Sequence, residues 1–207
     1  LINKDKGFPK KFISKYFRAK ADIKTYPIKV LISGQDSGGL GGAEKFIGDL
    51  AKYLTKKKVK VFFTAYANSL FTKKLKRMGF KVWEIPVRMD IIGDIKGLIK
   101  FFHFFPLTLL KDLNILSQFK KQGGDVVILT GISDKILLSP IAKLFSLTVV
   151  WIEFAPLASV FKRNGCTPKI LYRLVKGTPD KVIVTTLNTK KHLIPETRIS
   201  ESKIRVI

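Results

Sequence analysis

The sequence predicts an α/β fold in which a mostly parallel sheet carries helices on both faces. Three observations predict it. Short runs of β-branched and apolar residues recur along the chain and alternate with segments whose apolar residues return at the helical period. The first run, Ile28 to Ser33, is nearly continuous in apolar character, as a strand covered on both faces is. A glycine-rich stretch, Gly34 to Gly42, joins the first run to the first helical segment. In open α/β sheets such strand-to-helix junctions are where ligands usually bind.

Residues 1–27 come first, as a basic and poorly patterned extension. Phe12, Ile13, Tyr16 and Phe17 recur at helical spacing there, so a short amphipathic helix fits, lying on a membrane surface or packed back on the domain. The domain itself is read as 28–207. Ile28 to Ser33 is the first strand. A helix over Ala43 to Lys57 puts Ala43, Ile47, Leu50, Ala51 and Leu54 on one face, with Lys45, Asp49, Lys52 and Lys56 mostly opposite. Val59 to Ala65 reads as the second strand, Ser69 to Met78 as a helix, and Phe80 to Ile85 as the third strand, stopped by Pro86. A helix over Ile91 to Phe105 is expected to kink or end at Pro106, with a second piece over Leu107 to Lys121. Asp125 to Thr130 is the fourth strand. Asp134 to Phe145 is a helix with Pro140 expected near its first turn, and Leu147 to Phe154 is the fifth strand. Ala155 to Thr167 reads as a loop and Pro168 to Lys176 as a helix. Lys181 to Thr186 is the sixth strand, Leu187 to Pro195 a short helix or turn, and Ile204 to Ile207 the start of one more strand. The first residue is Leu1 and the chain stops inside an apolar run, so the reading leaves the true start open and expects further protein beyond Ile207.

The chain has 207 residues, 46% of them hydrophobic, which suffices for one globular domain with a core and excludes a disordered chain. Its charge is the unusual feature. Lys and Arg number 39 against 15 acids, a formal charge of +24, which favours an anionic partner: nucleic acid, an anionic membrane or a phosphorylated ligand. Lysine on solvent-facing helix positions also serves plain solubility. The one cysteine, Cys166, excludes an internal disulfide and a cysteine-rich metal site. The most apolar stretch, Leu98 to Leu110, falls short of the roughly 18–20 apolar residues that span a bilayer and is interrupted by Lys100, His103 and Pro106.

Five glycines between a strand and a helix mean that the backbone turns sharply or that something approaches it closely. The first turn of the following helix has amide hydrogens without partners in the helix and a partial positive charge, so the junction suits an anion, most simply a phosphate. The order Gly39-Leu40-Gly41-Gly42-Ala43-Glu44 fails the dinucleotide GxGxxG register at its last position and lacks the Gly-Lys-Ser/Thr of a Walker A loop. A turn without a ligand remains the alternative.

Four stretches together resemble the family-4 type of retaining glycosyltransferase. Gly38 to Glu44 looks like its GG-x-GGAE signature. Asp125-Val126-Val127-Ile128, Pro179 to Thr186 and Lys203 to Ile207 resemble its later strands, at the right places and in the right order. The resemblance covers about Ile28 to Ile207. It implies the Rossmann-like N-terminal half of a two-domain GT-B enzyme, the half that mainly holds the acceptor, while an absent C-terminal half holds the donor nucleotide. It implies a nucleotide-sugar as substrate, a glycan or lipid-linked acceptor, no cofactor and no metal, and a cytoplasmic protein in peripheral contact with the anionic inner face of the membrane. Gly39, Gly41, Gly42 and Glu44 would lie by the donor diphosphate and reacting sugar, with backbone amides stabilising charge on the leaving phosphate. Two departures matter. Many members carry a histidine at the end of the fifth strand, where this chain has Glu153; that acid either hydrogen-bonds a sugar hydroxyl or acts as a base toward the acceptor, or it is a salt-bridged or cleft-edge acid. Thr130-Gly131 stands where members often carry His-Ser, and it joins Phe101 and Phe105 as candidate acceptor-side residues. Phe101, Phe102, Phe104 and Phe105 beside Lys96, Lys100 and Lys111 suit a membrane surface, with about half of the rings expected in the core.

Other candidates carry less. His103 in an apolar helix reads as packed rather than ligating, and His192 beside Lys190 and Lys191 as a surface residue. Lys56-Lys57-Lys58 complements a helix C-terminus. Two further function classes compete with the enzyme. One is a non-catalytic module binding nucleic acid, which the charge favours but no recognised motif supports. The other is a peripheral membrane or scaffold domain.

Overall fold

Alternating apolar strands and amphipathic helices leave one economical arrangement, a sheet sandwiched between two helical layers. The computed structural model, which describes residues 27–34, 41–85, 95–164 and 166–207, has this form. The basic segment 1–26, with the helix expected around Phe12 to Phe17, lies outside the described residues, as does Gly39.

The strands are β1 (Lys29–Ser33), β2 (Lys60–Tyr66), β3 (Lys81–Ile85), β4 (Val126–Leu129), β5 (Thr148–Glu153), β6 (Lys181–Val184) and β7 (Ile204–Val206). The helices are α1 (Gly42–Lys56), α2 (Leu70–Arg77), α3 (Ile95–Lys121), α4 (Ile132–Leu144), α5 (Leu157–Asn164), α6 (Cys166–Leu174) and α7 (Leu187–Thr197). Among the described residues the sheet has seven strands in the order β3-β2-β1-β4-β5-β6-β7, and every neighbouring pair is parallel. The expectation of a mostly parallel sheet is therefore met in full. The chain winds outward from β1 in one direction and then from β4 in the other, which makes the gap between β1 and β4 the topological switch point.

Successive side chains alternate between the two faces. Val30, Ile32, Phe63 and Ile128 pack beneath Ile47, Leu54, Phe71 and Leu75 of α1 and α2. Leu31, Phe62, Val127 and Trp151 pack against Leu116 and Phe119 of α3, Leu138 of α4 and Tyr172 of α6. Trp151 is wholly buried and donates from Nε1 to Ser139 Oγ at 2.7 Å, so even the largest core side chain has its polar atom satisfied.

Three expectations are corrected. The helix does not end at Pro106: α3 runs on through it to Lys121. Pro106 is exposed, so the carbonyl four residues back that its ring deprives of a donor lies on the side where water replaces it. Pro140 is not in the first turn of α4, which begins at Ile132. The early start was hidden because Ser133, Asp134 and Lys135 are polar yet buried. The segment read as a loop after Phe154 contains α5, whose Leu157 and Phe161, one turn apart, are both buried.

Candidate functional site at the sheet switch point

The carboxyl ends of β1 and β4 lie side by side, with Ser33 registered against Leu129. Each strand feeds a helix whose N-cap is a glycine: Gly41 for α1 and Gly131 for α4, both with extended backbone and neither with a side chain able to cap. The contrast with two other helices is instructive. Ser69 caps α2, its Oγ accepting from Thr72 N at 2.9 Å, and Thr186 caps α7, its Oγ1 accepting from Thr189 N at 3.0 Å. The two helices that follow β1 and β4 thus lack the N-cap side chain that α2 and α7 carry, and both begin at the carboxyl end of the sheet, where a switch point leaves a crevice.

Gly41 and Gly42 are exposed there. A Cβ built on Gly42 would meet no atom within 4 Å, so nothing in the fold requires glycine at that position. Gly34 is different: a Cβ there would come 2.5 Å from Cε1 of Phe71, so its bareness serves packing. Glu44 lies in the first turn of α1 and is buried, an acid at the positive helix end.

The crevice is pinned from below. Thr130 Oγ1 donates to the Ser33 carbonyl at 2.8 Å, tying the exit of β4 to that of β1. Gly34 N donates to the Thr64 carbonyl at 2.8 Å, continuing the ladder into β2. Ser33 Oγ donates to the Asp134 carboxylate in the first turn of α4. Of the residues singled out from the sequence, Gly41, Gly42 and Glu44 at the start of α1 and Thr130 and Gly131 before α4 all lie at the carboxyl end of the sheet. Phe105 is half-buried on α3; the backbone of Phe101 is on the same helix, and its side chain lies outside the described residues.

Glu153 ends β5, only 3% exposed, and one of its oxygens accepts two hydrogen bonds, from Lys135 Nζ at 2.7 Å and from Tyr172 OH at 2.5 Å. Lys135, fully buried, also donates to the Ile152 carbonyl at 2.7 Å. Burial pushes the Lys135 ammonium below its ordinary pKa against the opposing pull of Glu153, and burial followed by the Glu153 charge pushes the Tyr172 phenol well up. Of the two roles set out for Glu153, the salt-bridged one describes this geometry.

Three polar residues in the same layer had no place in the sequence reading. Lys135 is one; its spacing from Leu138, Ser139 and Ala142 puts it on the inward face of α4, which was the available signal. Asp112 on α3 is the second, 3% exposed, with Oδ1 unpartnered among the described residues and its pKa pushed up to about 8 by burial and then by the charge of Asp134. Thr64, the registered neighbour of Ser33, is the third, with a buried hydroxyl that has no partner among the described residues. His103 and His192 are both exposed, and among the described residues no group of three or more His, Cys, Asp or Glu side chains is placed to hold a metal ion. No helix among the described residues is long and apolar enough to cross a membrane.

No family model and no curated protein matches the sequence. Solved structures do match the fold. Anabaena HepE in complex with UDP superposes with a TM-score of 0.66 at 14% identity, over 87% of this chain and 43% of that one. MurG of Acinetobacter baumannii superposes at 0.57 and 17% identity, over 87% and 44%. UDP-GlcNAc 2-epimerase of Methanocaldococcus jannaschii does so at 0.58 and 18%, over 87% and 45%. The chain thus spans less than half the length of these proteins, and at such identities the likeness shows the fold: a Rossmann-like half of the GT-B type.

Proposed function

We propose that this chain is the acceptor-side half of a GT-B glycosyltransferase that moves a sugar from a nucleotide-sugar to a glycan or lipid-linked acceptor. The observation that carries the reading is the pair of glycine-capped helix N-termini at the switch point, in a fold shared with a protein crystallised with UDP. Backbone amides at two helix ends suit the diphosphate of a donor held mainly by a second domain, and they stabilise the charge that grows on the leaving phosphate. Gly41 and Gly42 let that phosphate approach the backbone. The family-4 type, retention at the sugar carbon, and peripheral attachment to the cytoplasmic face of a membrane belong to the same proposal. The net charge of +24 and the exposed Ile99, Leu107 and Leu110 of α3 support the attachment.

The test uses the full-length protein with a panel of nucleotide-sugars and product analysis. Gly41→Val keeps an extended backbone that valine adopts readily, so the fold persists while transfer falls by a factor of about a hundred or more, as for loss of oxyanion donors. Unchanged kinetics in that variant remove the phosphate role from the loop. Epimerised donor without transfer replaces transferase with epimerase.

A further inference from the structure

At the opposite edge of the sheet, where β2 and β3 begin, lies a cavity of about 690 Å³ that the switch-point reading does not use. It opens between the C-terminal turns of α1 and α2 and the residues just after α3. Lys52 and Lys56 reach it from α1, Lys60 and Lys81 from the first positions of β2 and β3, and Gln122 from the end of α3, with Phe62 in its wall.

Three features set this cavity apart from a merely basic surface. Among the described residues no carboxylate lines it, although the chain ties lysines to acids elsewhere: Lys76 to Glu84, Lys143 to Asp180, Lys169 to Glu196 and Lys190 to Glu201. The lysines are also held in place. Lys60 Nζ sits 5.6 Å from the centre of the Phe62 ring, and Lys81 Nζ sits 5.8 Å from that ring and 5.1 Å from the ring of Trp83, near Gln122 Oε1 at 3.5 Å. Aromatic faces attract ammonium groups without neutralising them. Finally, Lys29 is registered directly against Lys60 across β1 and β2, and its Nζ donates to the carbonyl of Gln122, so a third strand adds positive charge beside the cavity. Helix C-termini favour cations and account for Lys56 in the last turn of α1. They do not account for Lys60 and Lys81, which open strands.

We propose that this cavity is a second anion site, distinct from the switch point, that takes a ligand with two or more linked phosphates. Four lysines line a cavity in the size range of small-molecule sites, which matches such a ligand in charge and volume. Lys60 and Lys81 hold it from the strand side, Lys52 and Lys56 from α1. The proposal does not rest on the glycosyltransferase reading, since the two sites lie at opposite ends of the strands.

The experiment titrates the full chain with inorganic tripolyphosphate by calorimetry at about 100 mM salt, where diffuse attraction is largely screened. Vesicles of phosphatidylcholine with phosphatidic acid form a parallel flotation arm. The variants are Lys60→Gln/Lys81→Gln and, as a control of equal charge, Lys176→Gln/Lys191→Gln, all four lysines being exposed. The expected result is one tripolyphosphate per chain, with affinity lowered about tenfold or more by the first pair and little by the second. Vesicle binding lost only in the first pair, with no tripolyphosphate binding, overturns the linked-phosphate ligand and leaves a surface that attracts lipid phosphomonoesters. Equal losses in both pairs, or no loss in either, overturn the site.

Discussion

Asp112→Asn tests the reading of the buried polar layer most directly, because its effect has an unusual sign. Asp112 is 3% exposed, and its native pKa is pushed from 3.8 to about 8 by burial and by Asp134. Below the unfolded value both states hold the proton and the group contributes no pH dependence. Between the two values the unfolded chain has lost the proton and the native chain keeps it, so stability falls as pH rises; above about pH 8 the loss levels off. The slope is at most about 1.4 kcal/mol per pH unit, and over about four units the ceiling is about 5 kcal/mol, reduced wherever water enters or α3 shifts. Asparagine keeps the shape and cannot ionise. Asp134, whose charge acts on Asp112, and Ser33, which donates to Asp134, are unchanged between the two proteins, so the difference isolates Asp112. Urea unfolding at pH 5, 6, 7, 8 and 9 should give curves that converge toward pH 4 and separate by about 2–5 kcal/mol in favour of the variant at pH 8. Parallel curves across that range would refute the argument that Asp112 is a neutral acid in the native state.

Lys135→Met leaves the Glu153 carboxylate buried beside Tyr172 alone, and urea unfolding should show a loss of about 3–5 kcal/mol. Pairing it with Glu153→Gln should recover part of that loss; additive losses in the double variant would mean the two groups are not coupled. Gly34→Ala should destabilise by about 1–3 kcal/mol because its Cβ meets Phe71, whereas Gly42→Ala should leave the unfolding midpoint unchanged or slightly raised. In the full-length protein, the same Gly42→Ala should slow sugar transfer about tenfold, a combination that a merely structural glycine does not produce. Ser69→Ala removes a cap and should cost about 1 kcal/mol with no effect on turnover.

The inner strands were legible because they are buried on both faces and so are written as unbroken apolar runs: Val30 to Ile32, Val61 to Phe63 and Val126 to Leu129 carry no alternation to misread. The helix α5 was not, since two turns offer only Leu157 and Phe161 as a period, and Pro156 before them reads as a break. In the site, the glycine loop announced itself by composition alone. Its counterpart at Gly131 stood out only as a departure from a family pattern, because a single glycine after a strand has no distinctive spacing. The role of Glu153 was beyond sequence reading for a topological reason. Its partners lie 18 and 19 residues away, on α4 and α6, and only the packing of both helices on one face of β5 brings them to a single oxygen. Asp112 was readable in principle: it falls on the stripe of Thr108, Ile115, Leu116 and Phe119 that α3 turns inward.

Many of the buried polar groups share one layer. Ser33, Thr64, Asp112, Asp134, Lys135 and Glu153 belong to the carboxyl-terminal end of the sheet and to the two helices packed on one face of it, helices that also bury Thr108, Ser133 and Ser139. Buried polar contacts contribute little net stability, and replacing them with packed hydrocarbon is often neutral or better. What they supply is direction. Ser33 to Asp134 fixes the first turn of α4 against β1, Thr130 to the Ser33 carbonyl fixes β4 against β1, and Lys135 to Glu153 fixes the same turn against β5. Three bonds of defined geometry thus hold one helix N-terminus in place, where apolar packing would let it slide. Rigid amide dipoles aimed at a fixed point stabilise developing charge without reorganising, so under the proposed function a polar layer beneath the crevice would hold the amides above it in place. On this argument Ser33→Ala, which removes one of the three bonds and leaves the crevice surface unaltered, should lower kcat for the proposed transfer in the full-length protein more than it raises KM. A change confined to KM would mean that the layer only holds the fold together.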